Sequence, residues 1–220
     1  MRLAAGTALA LVLAAVPASA HEPPVPRLGF EPPAAGTYAL HRIMAAPDGE
    51  VLDLDGQARR LADLLHERIT VLALVYTTCV DAEGCPRTLP VFDAVRRAAD
   101  ERADLRRQLQ LVTLSFDPER DTPAAMRGYA GARAAVRPGA VPWHFLTTRS
   151  ALALAPLLDG FGQDVRTTVT ASAGHRPREI SHVLKVFLID RTGYVREIYG
   201  ADFLHPRIVL NDVRTLLAER

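Results

Sequence analysis

The chain has 220 residues, with 26 lysines and arginines against 25 aspartates and glutamates, a formal net charge of +1 and 2 cysteines. Such a balance gives no field to draw nucleic acid or an anionic membrane surface, and the length suits one domain with a sizeable core. Any sulfur nucleophile or thiolate ligand must be Cys79 or Cys85.

The first element in chain order is an export signal. Residues 1–20 (MRLAAGTALALVLAAVPASA) hold one arginine, an apolar run from Leu3 to Val16, and the small residues Ala18 and Ala20 that a signal peptidase requires. The run is shorter than the roughly 20 residues of a membrane span, so cleavage before His21 and a periplasmic or otherwise exported soluble product are expected. A retained N-terminal anchor is the alternative. Residues 21–220 then carry equal numbers of acids and bases. In an oxidising compartment two cysteines can form a structural disulfide, a redox disulfide or a soft-metal site.

Residues 21–50 are proline-rich and weakly periodic, the pattern of an extended leader laid over a domain spanning 51–220. Ile69 to Tyr76 (ITVLALVY) is a nearly continuous apolar run, as in a central strand covered on both faces, and the cysteines follow its carboxyl end. Val91, Phe92, Val95, Ala98 and Ala99 then fall at helical spacing. Leu109 to Phe116 predicts a second strand, and SFDPERDTP after it offers Asp121 or Thr122 as a helix cap with Pro123 in the first turn. Trp143–Leu146 suits a short edge strand and Ala151–Leu158 a short helix. Val183–Ile189 and Tyr194–Tyr199, joined through Asp190 and Gly193, predict a hairpin, and Arg207–Leu217 an amphipathic helix. This order is that of an α/β, thioredoxin-like fold with an N-terminal extension and a β-hairpin before the C-terminal helix. In such sheets reactive groups lie beyond the carboxyl ends of the strands, where Cys79 falls.

Two sulfurs at a strand end beside a helix start suit either disulfide exchange or copper: Cu(I) favours thiolates, and Cu(II) is held better when an imidazole completes the set. Of the 7 histidines, His182 is the candidate, because it follows the loop TTVTASAGHRPREIS and directly precedes the hairpin's first strand, so that it can swing on that loop. Six positions separate Cys79 from Cys85, which on a regular helix would turn the second side chain roughly 240° from the first. A helix between them is thus excluded, whereas a loop containing Gly84 can close to a disulfide or a shared metal. Asp81 and Glu83 inside the loop would oppose thiolates and favour a bound cation, or be solvated loop charges and nothing more. The plain alternatives are an inert disulfide and a histidine that satisfies a backbone group. Asp117, Asp121 and Thr122 read as turn and cap residues. After cleavage, His21 would offer an amino group and an imidazole as a second copper grip, one that belongs with β-sandwich enzymes rather than with this order of elements.

The YTTC…CP segment after an apolar strand, FDPERDTP at 116–123 and HVLKVFLID from His182 to Asp190 together resemble the SCO/SenC family, over residues from about Val51 to the C-terminus. The resemblance implies a thioredoxin-like fold and copper held by Cys79, Cys85 and His182, as Cu(I) or Cu(II). It further implies a metallochaperone that delivers copper to the dinuclear centre of cytochrome c oxidase, with a copper-accepting oxidase subunit and a thiol reductant as partners. The family also exchanges thiols and disulfides, so the alternative is a thiol-disulfide oxidoreductase using Cys79 and Cys85 as a catalytic redox pair without metal. One departure stands out: the family spaces its cysteines by three residues, the first a proline, whereas here five intervene and Val80 follows Cys79.

Overall fold

A computed structural model describes residues 25, 27–66, 68–79, 81, 84–169 and 178–219. The expected export signal over 1–20, the cleavage point before His21 and the histidine grip at His21 lie outside the described residues.

The leader ends as part of the sheet. Met44–Ala45 (β1) pairs antiparallel with the far edge strand, Met44 opposite Val195 and Ala45 opposite Tyr194. Glu50–Leu52 (β2) and Ala58–Arg60 (β3) form a separate two-stranded ribbon leading into the short helix Leu61–Leu65 (α1). All seven residues of Ile69–Val75 (β4) are buried, as its unbroken apolar run requires. After the cysteine segment come Thr88–Asp100 (α2), which buries Val91, Phe92, Val95 and Ala99, and the short Ala103–Gln108 (α3).

Leu109–Ser115 (β5) is likewise buried throughout and runs parallel to β4, in register from Ile69 opposite Leu109 to Val75 opposite Ser115. Pro123–Ala130 (α4) is capped by Thr122, whose hydroxyl accepts from the Ala125 N–H at 3.3 Å. Trp143–Leu146 (β6) adds parallel to β5, and Ala151–Gly160 (α5) follows. Val165–Val169 (β7) pairs with Arg178–His182 (β8), and Val186–Ile189 (β9) with Tyr194–Tyr199 (β10), before the closing helix Pro206–Ala218 (α6), which packs on α2. The main sheet has the order β1-β10-β9-β4-β5-β6, the mixed α/β arrangement expected of a thioredoxin-like fold.

Several elements differ from the sequence expectation: β1, β2 and β3 precede the first expected strand, and the hairpin's first strand begins at Val186 instead of Val183. The segment before the β9–β10 hairpin, expected as a loop on which His182 swings, contains the antiparallel ribbon β7/β8, with Val165 opposite His182. Its strands, VRTTV and REISH, carry charged and polar residues without sustained apolar alternation, so periodicity alone concealed them. His182 therefore ends a strand.

Arg196, only 9% exposed at its side chain, fastens the periphery. It pairs with Asp190 at 2.9 Å and Glu219 at 2.7 Å, and its Nε donates to the Leu40 carbonyl at 3.0 Å, joining leader, hairpin and C-terminus.

Asp121 fastens the centre. Its carboxylate accepts from the Thr77 N–H at 3.0 Å, the Thr77 hydroxyl at 2.5 Å and the Ser115 hydroxyl at 2.5 Å, tying the carboxyl ends of β4 and β5 together beside the cysteine segment. Of the two cap candidates, Thr122 caps and Asp121 braces. Asp121→Ala leaves these buried donors without their acceptor. It should cost about 3 kcal/mol, because a buried unsatisfied polar group forfeits its full solvation, read as a lower urea midpoint at unchanged slope. A midpoint within error of wild type would refute the brace.

Candidate metal centre

The chain leaves β4 at Val75 and turns at once, the Cys79 N–H donating to the Tyr76 carbonyl at 3.2 Å. A second turn closes where the Gly84 N–H donates to the Asp81 carbonyl at 2.9 Å. A Cβ at Gly84 would sit 3.1 Å from Asp81 Oδ2 and 3.3 Å from its carbonyl oxygen, so glycine is what lets this turn fold tightly. Cys85 then opens a 3₁₀ turn, Cys85–Arg87, that feeds directly into α2, with Pro86 in its first positions and the Thr88 hydroxyl donating to the Cys85 carbonyl at 2.7 Å.

Both cysteines are free thiols, Cys79 half-buried and Cys85 1% exposed. Cys85 Sγ lies 3.1 Å from His182 Nε2. The donor atoms of Cys79, Cys85 and His182 all lie within 4.8 Å of one another, so the three candidates singled out in the sequence are brought together. Donors bonded about 2.0–2.3 Å from one ion stand roughly 3.5–4 Å apart, so small side-chain motions suffice to close this set around a metal. Two rings wall the imidazole: His182 meets Phe116 edge-on at 4.8 Å and Tyr76 edge-on at 5.6 Å. The sequence offered Tyr76 and Phe116 only as strand ends; their places in the motifs, Tyr76 opening YTTC and Phe116 second in SFDP, were the available signal.

The thiols are unequal. The pair gives up its first proton at Cys79, whose pKa is lowered to about 6 by a hydrogen bond from the Cys85 thiol, against desolvation, with further help from the Cys85 N–H, the Tyr76 hydroxyl and the Asp81 N–H. Cys85 is pushed far up by that thiolate and by burial. Burial also lowers the His182 pKa, opposed by the Asp81 carboxylate, so the imidazole is neutral at pH 7 with a lone pair to offer. At Cys79 the Asp81 backbone N–H stabilises the anion, while the Asp81 carboxylate raises the His182 pKa against burial. Glu83 lies outside the described residues. Asp117 keeps a turn role, its carbonyl accepting from the N–H groups of Arg120 and Asp121.

The family model SCO1/SenC matches residues 46–218. A Stutzerimonas stutzeri protein named "Putative copper-binding protein" is 35% identical over 96 residues, 43% of this chain and 44% of that protein, so the match spans under half of the relative's length. Among solved structures, Bradyrhizobium japonicum ScoI with copper bound aligns with a TM-score of 0.58 at 23% identity, covering 78% of this chain and 98% of that one. Yeast Sco1 with copper bound aligns with a TM-score of 0.65 at 16% identity, covering 80% and 91%. At these identities the two structures establish a shared fold.

The asymmetry of the thiols has a direct readout. In the reduced, metal-free protein, iodoacetamide should label Cys79 with a midpoint near pH 6 instead of the ordinary thiol value of about 8.5, while Cys85 stays unlabelled well above it. A Cys79 midpoint at the ordinary value would contradict the assignment.

Proposed function

We propose, on the premise that this chain belongs to the SCO1/SenC family, that it is an exported copper metallochaperone, which carries copper on Cys79, Cys85 and His182 and hands it to the copper centre of a respiratory oxidase. The observation that carries the reading is the convergence of two thiols and a neutral imidazole within 4.8 Å at the carboxyl end of β4. Two soft sulfurs with one nitrogen form a donor set for copper in either oxidation state.

The chain's residues divide the work. Cys79, half-exposed and ionised at neutral pH, is the first donor that incoming copper meets. Cys85 must release its proton as the metal binds, so uptake liberates a proton and weakens at low pH. His182 completes the set from β8 with no proton to lose. Transfer to an acceptor is then ligand exchange beginning from the accessible side. The acceptor is a copper-binding oxidase subunit, and a thiol reductant keeps Cys79 and Cys85 from closing on each other. The export signal over 1–20, the leader over 21–50 and the domain over 51–220 fit a carrier outside the cytoplasm; among the described residues no helix is long and apolar enough to cross a membrane.

A metal-free thiol-disulfide oxidoreductase would need the same cysteines but does not require the imidazole that is hydrogen-bonded to the buried sulfur at 3.1 Å. That contact favours the carrier.

Titration of the reduced protein with Cu(I) should reach one equivalent. Cys79→Ala and Cys85→Ala should each abolish tight uptake, and His182→Ala should weaken it by roughly tenfold or more, about 1.4 kcal/mol per decade. Absence of uptake by the wild type, or His182→Ala binding as the wild type does, would sink the reading.

A further inference from the structure

Between the leader, β10 and α6 lies a cavity of about 470 Å³ that shares no lining residue with the metal centre. Its volume falls in the range of small-molecule sites, and its walls are pinned. The Asn211 side chain donates to the Pro33 carbonyl at 2.8 Å, the Gly36 N–H donates to the Thr215 hydroxyl at 2.9 Å, and Arg196 holds the Leu40 carbonyl.

The lining contains two acids, Glu197 and Asp212, and no base, together with four aromatic rings, those of Phe30, Tyr38, Tyr199 and Phe203. Asp212 is 4% exposed, and its Oδ1 accepts from the Tyr38 hydroxyl and its Oδ2 from the Tyr199 hydroxyl, the latter at 2.7 Å. Burial keeps both phenols protonated, so they bring Asp212 hydrogen bonds but no charge. Glu197 likewise accepts from a neutral donor, the Ile198 N–H at 2.8 Å. The arginines next to the lining residues in sequence are engaged elsewhere, Arg196 with Asp190 and Glu219, and Arg207 with Glu31. Burial accordingly raises the Asp212 pKa, as it does for an anion with no countercharge beside it. At the rim Phe30 and Phe203, 47% and 56% exposed, pair with ring centroids 6.2 Å apart. Two adjacent large rings half in water above a cavity form an apolar surface that gains by being covered.

We infer that this cavity is a binding site for a small alkylated ammonium ligand, whose cation sits among the four rings and the two carboxylates. Ring faces carry the negative end of the aromatic quadrupole and attract a cation that is weakly hydrated. The methyl groups around an alkylated nitrogen also need apolar partners, which Pro32, Leu40, Ile198 and Ile208 supply. Other occupants fit worse. A hard divalent ion requires about six oxygens, whereas both Asp212 oxygens already receive a phenol and much of the remaining wall is apolar. An anion meets two carboxylates of its own sign, and a neutral apolar molecule would bury them without a countercharge. The site is independent of copper binding.

Choline is the probe, and its control is the neutral isostere in which carbon replaces the choline nitrogen. The protein should bind choline with a Kd of about 1 mM or tighter, shifting the methyl NMR signals of Ile198 and Ile208. The neutral isostere should bind roughly tenfold more weakly, because it forfeits both the ring and the carboxylate attraction. Phe203→Ala, at the exposed rim, and Glu197→Gln, which keeps the side-chain shape, should each weaken choline by about three- to tenfold. Both variants should take up Cu(I) as the wild type does, which separates loss of this site from loss of the fold. Equal binding of choline and its isostere would make the cavity a plain apolar cleft and overturn the proposal. It is overturned as well by the absence of saturable choline binding in the wild type, or by binding that leaves Ile198 and Ile208 unshifted or survives both substitutions.

Discussion

The carboxylate of Asp121 receives the Thr77 amide, the Thr77 hydroxyl and the Ser115 hydroxyl, and through them holds the carboxyl ends of the two fully buried parallel strands at one spacing. The rest of the site is suspended from that knot. Cys79 lies two residues beyond Thr77 and so starts from an anchored point, while Cys85 is anchored from the other side as the first residue of the turn that becomes α2. With both ends fixed, the Gly84 N–H closes a turn onto the Asp81 carbonyl and the sulfurs remain close despite the wider spacing. Widening the spacing lengthens the loop without opening the site.

The electrostatics follow from unequal burial. The half-exposed sulfur is the one surrounded by hydrogen-bond donors, so the single negative charge of the reduced pair collects there. The inner sulfur is kept neutral by desolvation and by the neighbouring anion, and the imidazole by desolvation alone. A cluster of this kind carries little charge when empty, and it becomes a full donor set only when a cation makes loss of the second proton favourable. Holding and releasing the cation are thereby linked to proton movement.

Rigidity is distributed just as unevenly. The sulfurs come from the core, whereas the imidazole comes from the β7/β8 ribbon, which among the described residues is a separate two-stranded sheet and meets the core through Ile180, Val165 and the aromatic contacts of His182 with Tyr76 and Phe116. A carrier must let go, and a donor mounted on a marginal ribbon is the one whose departure costs least.

By itself the sequence determined the principal strands and helices and their order along the chain, because the largely apolar runs at 69–75 and 109–115, the Thr122–Pro123 helix start and the Asp190–Gly193 turn are signals contained within a few neighbouring residues. It also determined which thiols could act, since there are only two cysteines, and the place of His182 before the hairpin, together with the family likeness, singled out the histidine. Tertiary structure alone decided that the widened loop closes, that His182 arrives on a strand instead of a swinging loop, that Asp121 is a brace and not a cap, and that the Tyr76 hydroxyl reaches the Ile180 carbonyl of the ribbon. The physical reason is separation along the chain: Cys85 and His182 meet across 97 residues, Tyr76 and Ile180 across 104, and Thr77 and Asp121 across 44. Local periodicity records whether a segment is buried. Which side chains then face one another is settled only when the strands that carry them are packed.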